Sequence, residues 1–384
     1  MVKHYDLAVV GAGIVGLGVA LAAAQKGLSV VVIDRDKRAN GASIRNFGFV
    51  TVTGQKAGAH WQRARRSRDI WADIAPKAKI PVLQNGLVLP AYRPEAVEVL
   101  HEFLQTDMGA ECSLIDPKAA QDQIPLLRQA GIREIMFSPH ELRVESALAI
   151  PQLQNWLAEA HNVDFMWNTS VSEITDHGVT SSAGHIPAEN VAVCPGNEFS
   201  TLFPNHIARH NLKIATLQML RLAAPDMPRL KAPVMSDLSL GRYEGFTGMA
   251  SSGALQQRLD QELPETRQAG IHLIAVQSAD GSLIVGDSHV YSDTPEPFAS
   301  GKTEDLILDA FNDVIDLPGY KVSERWTGSY AVASDRPILV ERPAKNIRLV
   351  IVTGGTGAST GLALGEQIVA DLFDPSPEIT QALS

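Results

Sequence analysis

Two cysteines in 384 residues, Cys112 and Cys194, are too few for a disulfide scaffold and point to a reducing compartment, with the cytoplasm as default. Neither belongs to a metal-ligand spacing. The eleven histidines are scattered, with no H-E-x-x-H and no paired-Cys arrangement, so no metal site is expected. Positive charge is in deficit. A formal net charge of −10 argues against nucleic acid as the main partner, because a phosphate backbone demands a basic face. The one dense basic patch, Arg63, Arg65, Arg66 and Arg68, is spaced around a helix and reads as a solvated face. There is no internal repeat and no low-complexity stretch. Nor is there a Ser-His-Asp order or a reactive-cysteine motif of the kind that covalent catalysis uses.

Long apolar runs are also scarce, with one exception. Leu7 to Ala24 carries no charge over 18 residues, which reaches the length of a membrane-helix candidate and, with Lys3 ahead, mimics a secretory signal. Four glycines within eight residues (Gly11, Gly13, Gly16, Gly18), Asp6 ahead and a Val-rich strand behind favour a different reading. Leu7–Val10 is a strand, the glycines form a turn, a helix runs to about Lys26, Gly27 stops it, and Leu28–Ile33 is a second strand. Gly11, Gly13 and Gly16 fit G-x-G-x-x-G, and Asp34 follows at the tip of the second strand. The first glycine allows the tight turn, the second lets backbone approach a pyrophosphate, and the third lets helix and strand pack closely. The anion then sits on free N–H groups at the positive end of the helix, and Asp34 accepts from ribose hydroxyls. This fingerprint alone does not separate NAD from FAD, so a nicotinamide dehydrogenase stays among the readings.

Two domains are the natural division of a chain this long. After Asp34 and Arg35, the loop Ala39–Gly54 carries an Asn40-Gly41 turn signal and short or polar groups suited to lying along a ligand. Ala57–Ala75 reads as a helix with Trp61 and Trp71 in the core. Val82-Leu83 and Leu87–Leu89 flank Asn85-Gly86 as a short hairpin. A helix is expected near Glu95–Leu104 and another at Ser146–Ala160, with Ser146 a possible N-cap. Val163–Trp167, Val171–Thr175 and Val191–Val193 read as strands, the last closed by Cys194-Pro195-Gly196. A second sheet region spans about Lys213–Ser292, with a hairpin at His272–Gln277 and Leu283–Val285 around Asp280-Gly281. Thr303–Val314 reads as helix. Arg348–Val352 and the following TGGTGASTGLALGEQ make a second strand, glycine turn and helix, ending near Phe373, with a frayed tail after Asp374.

Taken together, these segments resemble the FAD-dependent amine and amino-acid oxidases, which include glycine oxidase, sarcosine oxidase and D-amino-acid oxidase. The residues that carry the resemblance are the N-terminal glycines, Asp34, the GAS of residues 41–43 with Asn46-x-Gly48, Pro195-Gly196, and GGTG before the final helical segment. It covers nearly the whole chain. It implies an α/β fold: a Rossmann-like FAD-binding domain from residues 1–80, 143–212 and 320–384, interleaved with an α+β substrate domain on a mixed, largely antiparallel sheet from residues 81–142 and 213–319. The segments ASIRNFG, GRYEGF with a later GIHLI, GDSH, ERWTG and VTGGTG are similar to a bacterial branch found beside phosphonate breakdown, whose members look like oxidases of aminophosphonates.

The resemblance implies cofactor contacts at Gly11, Gly13, Ile14, Val15 and Gly16 for the pyrophosphate, and at Asp34, Arg35 and Val171 for the adenosine half. Ala42, Ser43, Arg45, Asn46, Gly48, Gly196, Gly328, Gly355, Thr356, Gly357, Ser359 and Thr360 would run toward or beside the flavin ring. The sarcosine branch attaches FAD through a cysteine near Trp326–Asp335; none is there, so FAD is expected to be non-covalent. A carboxylate-clamping Arg of the relatives aligns with Tyr330 and a carboxylate-binding Lys with Ser359. A basic residue tied to oxygen reaction aligns with Ile284, which leaves either oxygen or another acceptor to reoxidise the flavin.

The implied reaction is hydride transfer from an amine's α-carbon to flavin, followed by imine hydrolysis, with no side-chain nucleophile required. Loss of both carboxylate clamps directs attention to an aminophosphonate, 2-aminoethylphosphonate or its N-methyl derivative, giving phosphonoacetaldehyde. The alternative is a glycine, sarcosine or D-amino-acid oxidase or dehydrogenase. From another class, the chain could be a flavin-binding subunit of a hetero-oligomer. A phosphonate has three acceptor oxygens and favours the planar fork of Arg. The candidates are Arg45, Arg242 and Arg336, with Gln218, Tyr243, His272, His289 and Tyr330 as polar neighbours. Each has a plainer reading: Arg336 as an ion pair with Asp335, His272 as a satisfied inward histidine, Tyr243 as core, Gln218 as a strand-edge cap.

Overall fold

The structure is a computed structural model and describes residues 3–383. The apolar run at the N-terminus is cut by its glycines into strand Tyr5–Val10 and helix Ile14–Gln25. Among the described residues, no helix is long and apolar enough to cross a membrane. Tyr5–Val10 lies centrally in a parallel sheet. Val30–Ile33 and then Asp164–Met166 follow on one side, Gly184–Val193 and then Ile347–Val352 on the other, with Ile338–Ala344 antiparallel at the edge. Strands buried on both faces have no need to alternate, and Val30–Ile33 is buried at every position.

The opening helix is apolar all round because it is covered all round. The sheet lies on one side and the closing helix, Gly357–Phe373, on the other. The two helices meet through glycine. A methyl group on Gly365 would lie 2.1 Å from the Gly18 carbonyl carbon, and one on Gly18 2.4 Å from the Gly361 carbonyl oxygen.

The second sheet is built on Lys213–Ala223. That strand pairs antiparallel with Lys321–Val332 along one edge and with Leu283–Gly286 and Val290–Ser292 along the other, Ile274–Gln277 lying outside. A third group, Val82–Ala91 with Glu134–Val144 and the short strands Phe49–Val50 and Ser113–Leu114, is stitched to it by bridges at Val88–Val234 and Val234–Ala275. The α/β class with mixed sheets agrees with expectation.

Four expectations are corrected. Asn85-Gly86 is not a hairpin: Val82–Ala91 is one strand with register shifts. Gly86 makes a bulge there with φ of +75°, where a Cβ would lie 2.7 Å from Phe137. The tail is not frayed over its described residues, since Pro377–Ala382 is a helix capped by Ser376, with Leu383 buried; Ser384 lies outside them. Arg63 is not on a solvated face. It is 3% exposed, with Nε donating to Gln367 Oε1 at 2.8 Å and Nη2 to the Ala382 carbonyl at 2.6 Å. Ser146 begins its helix rather than capping it, and its hydroxyl donates to Asn46 Oδ1 at 2.7 Å.

Gly48 and Gly27 separate two costs of replacing glycine. Both have positive φ, +66° and +79°, but a Cβ on Gly48 would lie 1.7 Å from the Val144 carbonyl oxygen, whereas Gly27 has open space. Gly27→Ala is expected to lower unfolding free energy by about 1–2 kcal/mol, the left-handed backbone cost alone. Gly48→Ala should exceed it by at least about 1 kcal/mol, as overpacking against fixed backbone, read from urea denaturation midpoints.

Candidate active site

A cleft of about 410 Å³ lies where the first sheet meets the second. One end is the turn before the opening helix. A methyl on Gly11 would sit 2.4 Å from the Cys194 carbonyl oxygen, and one on Gly16 1.9 Å from the Gly11 carbonyl oxygen, so only glycine permits this packing. The Asp34 carboxylate braces the turn, accepting from Ala12 N at 2.7 Å and Asp36 N at 2.9 Å. Ser43 Oγ accepts from Ile14 N at 2.9 Å, which puts a hydroxyl over the positive end of the helix. Gly13, Ile14, Val15, Gly16, Ala42 and Ser43 all line the cleft.

The second wall is the turn before the closing helix. Gly355, Thr356 and Gly357 line the cleft, and a methyl on Gly357 would lie 3.4 Å from Ile14 Cγ2. The N-termini of two helices therefore open onto one space. Thr356 Oγ1 is buried with no hydrogen-bond partner. Gly196 and Gly328 also line it, as do Arg45 and Asn46. Asn46 is committed to the loop, donating to the Ala42 carbonyl and accepting from Gly48 N, both at 2.7 Å. Arg45 donates to Asn40 Oδ1 at 3.0 Å. Glycine turns that a Cβ would fill, two helix N-termini and an orphaned hydroxyl suit an elongated anionic dinucleotide.

The far end is polar: His272, Asp287 and His289 are buried, Arg242, Tyr243 and Tyr330 half-buried, and Tyr291 exposed. Arg242 makes one side-chain hydrogen bond among the described residues, Nη2 to Tyr291 Oη at 3.1 Å. Tyr243 and His272 rings lie 5.4 Å apart, His272 and His289 5.0 Å, and His289 and Tyr330 6.2 Å, edge-on. A methyl on Gly355 would lie 3.2 Å from the Tyr330 hydroxyl, so this basket abuts the second glycine turn. Asp287 Oδ1 lies 3.4 Å from His272 Nδ1, and Oδ2 3.9 Å from His289 Nε2.

Burial raises the Asp287 carboxyl to about 7 against the opposing pull of Arg242. Burial, and then the positive charge of Arg242, holds both histidines well below their ordinary value. Tyr243 and Tyr330 are raised by burial and stay neutral. Burial opposes the charge of Arg242, but Tyr330, Tyr291 and Asp287 outweigh it and raise its pKa. His272, Asp287 and His289 bring ligand atoms within 4.8 Å of one another, a donor set of the kind a divalent ion uses. The guanidinium whose charge reaches all three works against a cation there.

The cleft thus gathers Arg45, Arg242, Tyr243, His272, His289, Tyr330 and Arg336. Arg336 is tied to Asp335 by two bonds, 3.0 and 2.6 Å, the plainer reading of it. Gln218 is a correction. Leu217 and Met219 line the cleft, and alternation turns Gln218 away, where its amide exchanges hydrogen bonds with the Ser300 backbone at 3.1 and 3.0 Å. Gly11, Asp34, Arg35, Gly48, Val171, Ser359 and Thr360 do not line the cleft wall. Ser359 Oγ instead accepts from Thr51 N at 2.9 Å and Thr360 Oγ1 donates to the Thr356 carbonyl at 2.9 Å. Ile284 is buried in a core strand.

Sequence reasoning missed Asp287 and Tyr291. Asp287 lies two residues before His289 in GDSH, the period that puts both on one face of an extended segment.

Side-chain NMR tests these electrostatics. His272 and His289 should remain neutral well below the ordinary histidine value, and the Asp287 carboxyl carbon should titrate near 7; ordinary histidine titration near 6.5 at either ring would contradict the account.

Residues 6–372 match the family described as DAO, FAD dependent oxidoreductase. No curated protein sequence is significantly similar. Solved structures of similar fold include L-proline dehydrogenase from P. horikoshii, at TM-score 0.78 and 18% identity over 99% of this chain and 96% of that one. Glycine oxidase from Geobacillus kaustophilus aligns at 0.75 and 18%, over 96% and 95%. L-α-glycerophosphate oxidase from Mycoplasma pneumoniae, solved with FAD bound, aligns at 0.70 and 15%, over 97% and 95%. With a match running from the first strand through the closing helix and a cleft shaped for a dinucleotide, the chain belongs to the FAD-dependent oxidoreductases of the DAO family.

Proposed function

We propose that this enzyme oxidises a small amine bearing a phosphonate, 2-aminoethylphosphonate or its N-methyl derivative, to phosphonoacetaldehyde. The observation that carries this reading is Arg242: a half-buried cation lining the cleft, with one side-chain bond to Tyr291 and no carboxylate partner among the described residues. Its remaining donors can form the two-pronged grip that a phosphonate favours. Tyr243, Tyr291 and Tyr330 add hydroxyl donors around it, and the raised pKa values of Tyr243 and Tyr330 keep those two protonated.

Bound FAD supplies a hydride acceptor. The protein's part is to fix the anion at Arg242 so that the amine-bearing carbon faces Gly355–Gly357, with the buried rings of His272 and His289 alongside. Imine hydrolysis then needs only water. Fold neighbours named for glycine and L-proline oxidation favour an amine, and one named for α-glycerophosphate shows a phosphorylated small molecule handled on this fold. The similarity of ASIRNFG, GRYEGF and GDSH to the phosphonate-associated branch points the same way. Two free cysteines suit a reducing cytoplasm. No cysteine stands in the Trp326–Asp335 segment, where the sarcosine branch attaches its flavin, so FAD is held non-covalently.

The purified protein should be yellow and release its flavin into the supernatant on acid precipitation. Anaerobically, 2-aminoethylphosphonate or its N-methyl derivative should bleach it, with glycine and sarcosine far slower. Arg242→Met should lower kcat/KM for the aminophosphonate about 100-fold or more, the loss of charge-assisted bonds worth roughly 1.5–3 kcal/mol each. Preference for glycine or sarcosine would replace the aminophosphonate by an amino acid. A protein that stays yellow with every amine would be a binding subunit.

A further inference from the structure

We infer that Asp287, framed by His272 and His289, takes the proton that the substrate's ammonium must shed before its α-carbon–hydrogen bond breaks. This rests on the amine-oxidase reading above and adds to it a named proton acceptor.

Hydrogens are missing between the buried atoms around Asp287. His289 Nδ1 lies 3.0 Å from the Gly270 carbonyl oxygen. A carbonyl can only accept, so Nδ1 carries the ring hydrogen and, in the neutral ring, Nε2 is a bare acceptor. That acceptor faces Asp287 Oδ2 across 3.9 Å. On the other side, Asp287 Oδ1 and His272 Nδ1 are both buried with no hydrogen-bond partner, 3.4 Å apart. The carboxylate oxygens of Asp287 and Nε2 of His289 are buried acceptors converging on one space, and they call for donors. A primary ammonium carries three N–H groups, and the cleft on which Asp287, His272 and His289 all open is where the amine would lie.

Charge decides which member keeps the proton. If either imidazole took it, an imidazolium would be buried beside Arg242, whose charge already depresses both rings. If the carboxylate takes it, ammonium and carboxylate become neutral amine and neutral acid. Arg242 is then balanced by the substrate's own anion. The charged or titratable groups around Asp287 are Arg242 and Tyr243 from one turn, His272, His289, Tyr291 and Tyr330, so the guanidinium is the single fixed cation. A carboxyl buried enough to titrate near neutrality is matched to the task. In the step itself, one N–H bond breaks and one O–H bond forms on Asp287. The freed nitrogen lone pair becomes the C=N bond as the α-hydrogen leaves with its electron pair to the enzyme's FAD.

The test compares wild-type and Asp287→Asn holoenzyme, with ethylphosphonate, which lacks the amine, as a binding probe read by flavin absorbance. Ethylphosphonate should bind both proteins within about threefold, showing an intact pocket. Anaerobic bleaching by 2-aminoethylphosphonate at pH 7 should be slower in the variant by about 100-fold or more, the usual size of general-base catalysis. The deficit should shrink nearly tenfold per pH unit as solvent supplies free amine, toward the amine's own pKa of about 10. Wild-type bleaching should fall as pH drops through about 7, where Asp287 becomes protonated. Equal rates, or a deficit identical at every pH, would overturn the assignment while leaving amine oxidation standing. If no amine bleaches the wild type although ethylphosphonate binds, both fall together. Should the Asn variant not fold, calorimetry of 2-aminoethylphosphonate binding to the wild type at pH 8, in buffers of different ionisation enthalpy, still decides. No proton should reach the buffer, and release of one would overturn the proposal.

Discussion

Contact between two helices from opposite ends of the chain, with glycine on both sides, is the constraint on which the site depends. Gly18 of the opening helix lies against Gly361 and Gly365 of the closing helix so closely that no side chain fits between them. That approach fixes the distance between the two glycine turns, and both helices then present their positive ends to one cleft. A residue near position 14 and one near 357 come within van der Waals reach although most of the sequence separates them. The intervening chain is free to build the second sheet that closes the cleft from the other side.

Polarity along the cleft follows from this arrangement. At one end, backbone N–H groups at a helix N-terminus, on a turn braced by Asp34, provide an anion site. At the other, burial sets the protonation of the rings and of Asp287, and one guanidinium modulates it. Arg242 depresses the two histidines and partly offsets the burial that raises Asp287. The basket is therefore neutral apart from Arg242 and whatever charge Asp287 carries, which is the environment an anionic substrate with an exchangeable proton requires.

Much of the first sheet was legible because local rules and tertiary role agree there: the glycine spacing, the Val-rich runs and the helix stops all describe one unit. The second glycine turn was legible for the same reason. Asn85-Gly86 misled because one dipeptide serves both a hairpin turn and a bulge, and only the partner strand Glu134–Val144 decides between them. Arg63 misled because its partners, Gln367 and the Ala382 carbonyl, come from the far end of the chain. Asp287 escaped notice because an aspartate in a loop is ordinary; its chemistry arises from burial, which is a property of the packed molecule. Gln218 was within reach of sequence reasoning. Strand alternation with Leu217 and Met219 turns it from the cleft, and its amide ties the Ser300 backbone ahead of a helix rather than capping a strand edge.

The most direct measurement of the central claim is FAD affinity in Gly365→Ala. A methyl group there would lie 2.1 Å from the Gly18 backbone, so the helices must separate and the two turns with them. The account predicts a folded protein that binds FAD at least about tenfold more weakly than wild type, a difference of about 1.4 kcal/mol. A folded variant that holds FAD as tightly as wild type would contradict it.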